Sequence, residues 1–241
     1  MTQDDLLRLA KESAILAGTY LIKNKHKEKK VNLEIGRDIK LEADREAEKI
    51  IRENLKKSNI PILGEEFGGF SNFTEQDCWI VDPLDGTSNY FRGLDQCCVA
   101  IALMNGPISK IGVIYNFNND EMFSAQQGKG AYLNNELITV SKIDKTAFAS
   151  LTTGFPASED LASSASYLND FSRWKKIRMF GSAALSCAYV ASGKCDVYKE
   201  KGVFIWDFAA GICLVEEAGG KAAFNKIDED RYQVNFTNGI L

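Results

Sequence analysis

The stretch Trp79-Ile80-Val81-Asp82-Pro83-Leu84-Asp85-Gly86-Thr87-Ser88-Asn89-Tyr90 carries the residues best suited to chemistry. Asp82 and Asp85 stand three positions apart, and carboxylates that close repel each other unless a cation lies between them. Gly86, Thr87 and Ser88 follow, small residues that leave backbone N–H groups open to an anion. This pattern describes a hard divalent cation held beside a phosphate. The plainer alternative is a surface turn, since Asp, Pro and Gly are ordinary turn residues. Two further acidic clusters weigh against the turn. Gly64-Glu65-Glu66-Phe67 ends the apolar run from Ile60 to Leu63, and Trp206-Asp207 opens an apolar helix far downstream. Three acidic clusters, each at the end of a different element, can converge into an all-oxygen site suited to Mg²⁺.

The elements that must position these groups are legible in part. Trp79 to Val81 reads as a buried strand that stops at Asp82-Pro83, because proline removes a ladder donor and fixes φ. Leu6, Leu9, Ala10, Ala14, Ala17 and Leu21 recur at helical spacing and predict a packing helix over 4–23. Val31, Leu33 and Ile35 alternate with polar residues, as in a short strand. A turn at Gly36-Arg37-Asp38 leads to a second helix that buries Ala47, Ile50, Ile51 and Leu55. Asp44, near its start, suits the helix dipole without any further role. Residues 97–103, 108–117, 121–126 and 137–140 are strand candidates separated by turn residues, which predicts an antiparallel meander. Gly128-Lys129-Gly130 looks like a phosphate-cradling loop but is read as a hairpin turn.

From Ala149 strands and helices alternate. Strands are expected at 150–153, 177–179 and 195–198, and helices at 161–171, 183–192 and 207–217, the last closed by Gly219-Gly220. No repeat or low-complexity linker interrupts the chain. The expectation is one domain over residues 1–241, with an α+β half to about 145 and an α/β half from about 146.

Composition excludes several classes. A net charge of −4 gives no attraction to nucleic acid or to an anionic membrane. No apolar run reaches the length of a membrane span. Met1-Thr2-Gln3-Asp4-Asp5 lacks a signal-peptide n-region, so the expected location is the cytoplasm. Six cysteines without a Cys-x-x-Cys pair, two of them adjacent, predict buried free thiols. His26 is the only histidine and lies among lysines, which argues against zinc catalysis and a histidine-based triad.

Asp-Pro-Leu-Asp-Gly-Thr at 82–87, Gly-Glu-Glu at 64–66 and Trp-Asp-Phe-Ala-Ala-Gly at 206–211 together resemble the inositol monophosphatase family, a Mg²⁺-dependent, Li⁺-sensitive phosphatase group that also holds bisphosphate nucleotidases and fructose-1,6-bisphosphatases. The resemblance runs from about Asp38 to Gly220 and implies a layered αβαβα sandwich of the sugar-phosphatase type, in the α+β or α/β class. It implies that Glu65, Asp82, Asp85, Asp207 and the Leu84 carbonyl hold two Mg²⁺ ions. One would activate a water and the other would stabilise the leaving alkoxide. It implies that Thr87, held by Asp44, orients that water with Glu65, and that Gly86 and Thr87 present N–H groups to the phosphate. Gly181, Ser182 and Ala183 would border the substrate; plain capping by Ser182 is compatible with that role. A homodimer is implied as well.

One departure stands out. Where the family often has Pro-Val-Thr or Leu-Val-Thr, this chain has Ile39-Lys40-Leu41. Lys40 either points into solvent or reaches the phosphate or a weakly held third cation site. The departure bears on that third ion, not on the main pair. Glu200, seven residues before Asp207, matches a glutamate that contacts sugar hydroxyls in the inositol phosphatases, where bisphosphate nucleotidases tend to carry arginine. A carboxylate accepts hydrogen bonds from a polyol and repels a second phosphate, although Lys199 and Lys201 flank it. The expected activity is hydrolysis of a phosphate monoester, an inositol or related polyol phosphate. The alternatives are a 3′(2′),5′-bisphosphate nucleotidase and a metal-binding regulatory homologue without turnover.

Overall fold

The computed structural model describes the backbone of residues 1–26, 31–35, 38–69, 76–155 and 170–241, and the side chains of these residues except 31–35 and 38–40. Helix α1 (Gln3–Asn24) starts at Thr2, whose hydroxyl accepts from Asp5 N while the Asp5 carboxylate accepts from Thr2 N. Its buried stripe includes the six residues expected from their spacing. Strands β1 (Val31–Ile35) and β2 (Asp38–Leu41) form an antiparallel hairpin that feeds α2 (Glu42–Leu55). The turn at 36–37 lies outside the described residues, as does the Lys40 side chain.

An eight-stranded sheet follows, built from β3 (Ile62–Gly64), β4 (Gly68–Gly69), β5 (Cys78–Asp85), β6 (Cys98–Asn105), β7 (Ile108–Asn116), β8 (Glu121–Gln126), β9 (Ala131–Leu133) and β10 (Glu136–Ile138). From β5 to β10 neighbouring strands pair antiparallel in chain order, as a meander requires, while β3 pairs parallel to β5. The period of two sorts the side chains onto two faces. Trp79, Val81, Val99, Ile101, Leu103, Ile111 and Val113 meet α1 and α2. Cys78, Ile80, Ala100, Ala102, Met104 and Ile114 meet α4 (Ala183–Ala191) and α5 (Ile205–Glu217) on the other side.

The second sheet has the order β12-β11-β13-β15-β14, with β11 (Ser150–Thr153), β12 (Lys176–Arg178), β13 (Val197–Val203), β14 (Lys221–Lys226) and β15 (Tyr232–Thr237). Strands β12, β11 and β13 run parallel, and β15 and β14 add an antiparallel hairpin. Helices α4 and α5 lie between the sheets and share one apolar core with both. Four layers, α/β/α/β, are seen among the described residues. The helix expected at 161–171 falls almost wholly outside them; Phe171–Arg173 is a single 3₁₀ turn.

Two sequence expectations are corrected. Strand β5 does not stop at Asp82-Pro83 but runs on to Asp85, with a register irregularity against β6 between Asp82 and Asp85. Pro83 falls inside that irregularity, where no ladder donor is required. The meander also contains β9, which the sequence pattern missed. The hairpin at Gly128-Lys129-Gly130 is real, and its Gly128 and Gly130 N–H groups both donate to the Glu217 carboxylate, each at 2.7 Å. All six cysteines are buried and free.

Candidate active site

Asp82 and Asp85 pair with Ala100 and Cys98 of β6 on either side of the irregularity, which leaves Pro83 and Leu84 out of regular pairing at the end of β5. Asp82 is 2 % exposed, and its Oδ1 accepts from Leu84 N at 3.0 Å. Gly86 then turns the chain at φ 85°, a left-handed value, so that α3 (Thr87–Arg92) can begin at once. The first N–H groups of α3 have no intrahelical acceptor. Thr87 Oγ donates to the Leu84 carbonyl at 2.9 Å. That carbonyl keeps a second lone pair for another partner.

Asp85 sits at the N-terminus of α4. Its Oδ2 accepts from Ala184 N at 2.8 Å and from the Ser182 hydroxyl, and its Oδ1 accepts from Ala183 N at 3.3 Å. Ser182 also caps the helix, accepting from Leu185 N at 3.2 Å. Asn89 of α3 reaches the same loop, donating to the Phe180 carbonyl at 2.7 Å and the Gly181 carbonyl at 3.3 Å. Segment 181–183 therefore lies beside the Asp82–Thr87 segment, as expected, but Ser182 and Ala183 direct their donors at Asp85. A helix N-terminus attracts the nearest carboxylate, and Asp85 is that carboxylate; the segment's place beside a substrate stays an expectation.

Asp207 and Asp44 share one local geometry. Each is the third residue of its helix and reaches back to the backbone N–H before the first turn: Asp207 Oδ2 accepts from Phe204 N and Asp44 Oδ2 from Leu41 N, both at 2.7 Å. Thr87 gives its proton to Leu84 O and Asp44 Oδ2 accepts from Leu41 N, while the hold of Asp44 on Thr87 that the resemblance implies stays an expectation. Asp44 is buried.

The electrostatics tie the clusters together. Burial raises Asp82 well above the ordinary carboxylate range, and the charges of Glu65, Asp85 and Asp207 push it further. Burial raises Asp207, and Asp85 and Glu65 add to it. Burial raises Asp85 as well, opposed by the Ser182, Ala184 and Ala183 donors. Among the described residues no three His, Cys, Asp or Glu side chains close into a ready cage. Asp82 and Asp207 instead hold backbone donors of their own turns and Asp85 holds those of α4, while the three repel one another. A set of all-oxygen donors whose charges raise one another fits a hard divalent cation, which lowers the cost of every ionised carboxylate at once. Glu65, Asp82, Asp85, Asp207 and the Leu84 carbonyl are the groups that could hold it.

Glu200 in β13 lies close enough for the Asp85 charge to act on it. Burial pushes its carboxyl up to about 7, the Tyr198 hydroxyl donates to it at 3.0 Å and pulls the other way, and Asp85 adds a smaller push. Sequence reasoning missed Glu48 and Arg52 of α2. Glu48 is fully buried, accepts from Glu66 N at 2.7 Å and pairs with Arg52 Nε at 2.6 Å. A charged residue at the i+4 position from Asp44, inside the stripe of Ala47, Ile51 and Leu55, was the available signal.

The chain is similar to known proteins in sequence and in fold. Residues 2–227 match the profile described as the inositol monophosphatase family. The chain is 42% identical over 188 residues to the Nus factor SuhB of Xylella fastidiosa, spanning 76% of this chain and 68% of that one. It is 37% identical over 223 residues to an inositol-1-monophosphatase of Synechocystis, spanning 89% and 77%. The crystal structure of the extragenic suppressor protein suhB from Bartonella henselae superposes with a TM-score of 0.88 at 35% identity, covering 98% of this chain and 95% of that chain.

Proposed function

The chain belongs to the inositol monophosphatase family, and on that premise we propose that it is a Mg²⁺-dependent phosphoric monoester hydrolase acting on an inositol or related polyol phosphate. The observation that carries the reading is the burial of Asp82 within electrostatic reach of Glu65, Asp85 and Asp207. A fold that needs only stability has no use for so many mutually repelling carboxylates.

Glu65, Asp82, Asp85, Asp207 and the Leu84 carbonyl would hold two Mg²⁺ ions. The metal would supply positive charge to the phosphoryl oxygens and acidify water. The rest falls to the protein. The first-turn N–H groups at Gly86 and Thr87 would receive phosphate oxygens. Thr87, anchored to the Leu84 carbonyl, would keep its hydroxyl oxygen available to an incoming water. Asp85, locked by Ser182, Ala183 and Ala184, would stay fixed while substrate enters. Phosphoryl transfer asks mainly for positioning and charge neutralisation, so no covalent nucleophile is needed. Glu200 would accept hydrogen bonds from a polyol. By family resemblance the enzyme would act as a cytoplasmic homodimer; among the described residues no helix is long and apolar enough to cross a membrane.

The test is phosphate release with Mg²⁺ from inositol 1-phosphate and from 3′-phosphoadenosine 5′-phosphate at equal concentration. Preference for the inositol ester supports the reading. Preference for the nucleotide moves the assignment to the bisphosphate nucleotidases. A relative carries the name Nus factor SuhB rather than that of a phosphatase, which favours a second reading, a metal-binding regulatory homologue without turnover. Release from neither ester, with Mg²⁺ still bound, would support it.

A further inference from the structure

Helix α2 presents Asp44, Glu48 and Arg52 at intervals of four, on one face. Glu48 spends both carboxylate oxygens on the turn that carries Glu65. Oε2 accepts from Glu66 N at 2.7 Å, and Oε1 accepts from Phe67 N at 3.4 Å and from Arg52 Nε at 2.6 Å. Arg52 grips the far side of the same turn by donating to the Gly68 carbonyl. The guanidinium carbons of Arg45 and Arg52 lie 4.9 Å and 5.9 Å from the Phe67 ring centroid. Gly64 makes room for this arrangement: a Cβ there would fall 2.1 Å from Glu48 Oε1.

A fully buried carboxylate is costly unless its partners are fixed. Here the partners are two consecutive backbone N–H groups, that of the Glu65–Glu66 peptide and that of the Glu66–Phe67 peptide. We propose that Glu48 is a positioning residue, a buried carboxylate that grips the Gly64–Gly68 turn from α2 and so fixes the direction in which Glu65 faces the Asp82–Asp207 cluster. Arg52 balances its charge and closes the grip from the carbonyl side. This rests on the function proposed above, because it is the cation site that gives Glu65 its purpose. Groups that orient a metal-binding side chain without touching the metal commonly change affinity by tenfold or more when altered.

The experiment compares the wild-type protein with Glu48→Gln and Gly64→Ala. Each is read by amide hydrogen exchange in the metal-free state and by calorimetric titration with Mg²⁺. In both variants the Glu66 and Phe67 amides exchange at least about tenfold faster, exchange in β5 is unchanged, and Mg²⁺ affinity falls about tenfold or more. Glu48→Gln keeps the shape but turns an amide donor toward N–H groups; Gly64→Ala displaces the intact carboxylate. If Glu48→Gln does not fold, Gly64→Ala and the milder Arg52→Lys carry the test. Faster amide exchange with undiminished Mg²⁺ affinity overturns the proposal and leaves Glu48 as a structural anchor. Unchanged exchange overturns it as well. A wild-type protein that does not bind Mg²⁺ overturns the function proposed above, and this inference with it.

Discussion

Glu200 makes the metal-free protein sensitive to alkali. Its carboxyl is raised from an ordinary 4.5 to about 7, so the folded state prefers the neutral form. The stability tied to it is therefore full below about pH 4.5 and lost as pH rises through about 7. Glu200→Gln should leave stability nearly unchanged at pH 5 and raise it by up to about 3 kcal/mol at pH 8, read by thermal unfolding in EDTA. Equal effects at both pH values would mean that Glu200 is ionised throughout. At this scale the carboxylates were readable from the sequence because each ends an apolar run, a placement with little packing value. Their hydrogen bonds were not readable. Whether Asp44 turns to Thr87 or to Leu41 N depends on how α2 sits against α3, and no local pattern encodes that. Glu48 was passed over because it stands within an apolar stripe, where its partner across the fold is invisible.

At the scale of elements, the site depends on helices that begin at carboxylates. Asp44 and Asp207 each close the first turn of their own helix, and Asp85 does so for α4 from another sheet. Every one of these groups is thus oriented by a dipole that also favours its charge. The position of α4 follows from α5 behind it, since a Cβ at Gly211 would fall 2.4 Å from Cys187 Cβ. Gly211→Ala should cost about 1–3 kcal/mol, read by denaturant unfolding, through overpacking between the two helices. It should also weaken Mg²⁺ binding, because α4 carries the donors that hold Asp85. A variant as stable as the parent would show that the helices separate freely. Helical spacing located α1 and α2 because each has an apolar stripe, and α4 and α5 stood out as short apolar runs in the alternating part of the chain. It ended β5 too early, since Pro83 looks like a stop until the bulge that admits it is seen.

For the whole molecule, the core between the two sheets draws on both halves of the chain: Ile80, Ala100 and Phe123 meet Leu185, Phe208 and Phe236 in one cluster. We read residues 1–241 as a single folding unit, so calorimetric unfolding should give one transition whose midpoint rises with Mg²⁺. Two separated transitions would contradict this. The halves were visible in the sequence as a change from meander to alternating strand and helix, and the lack of a linker pointed to their junction; which residues meet there was not legible, because the cluster joins positions far apart in the chain, such as Phe123 and Leu185.

The most direct test of the cation-based account is Mg²⁺-dependent phosphate release from inositol 1-phosphate by the wild-type protein and by Asp207→Asn, with circular dichroism to check the fold. The account predicts release that EDTA abolishes, and a loss of at least about 100-fold in the variant at unchanged fold. Turnover that persists in EDTA, or an Asp207→Asn protein as active as the parent, would contradict it.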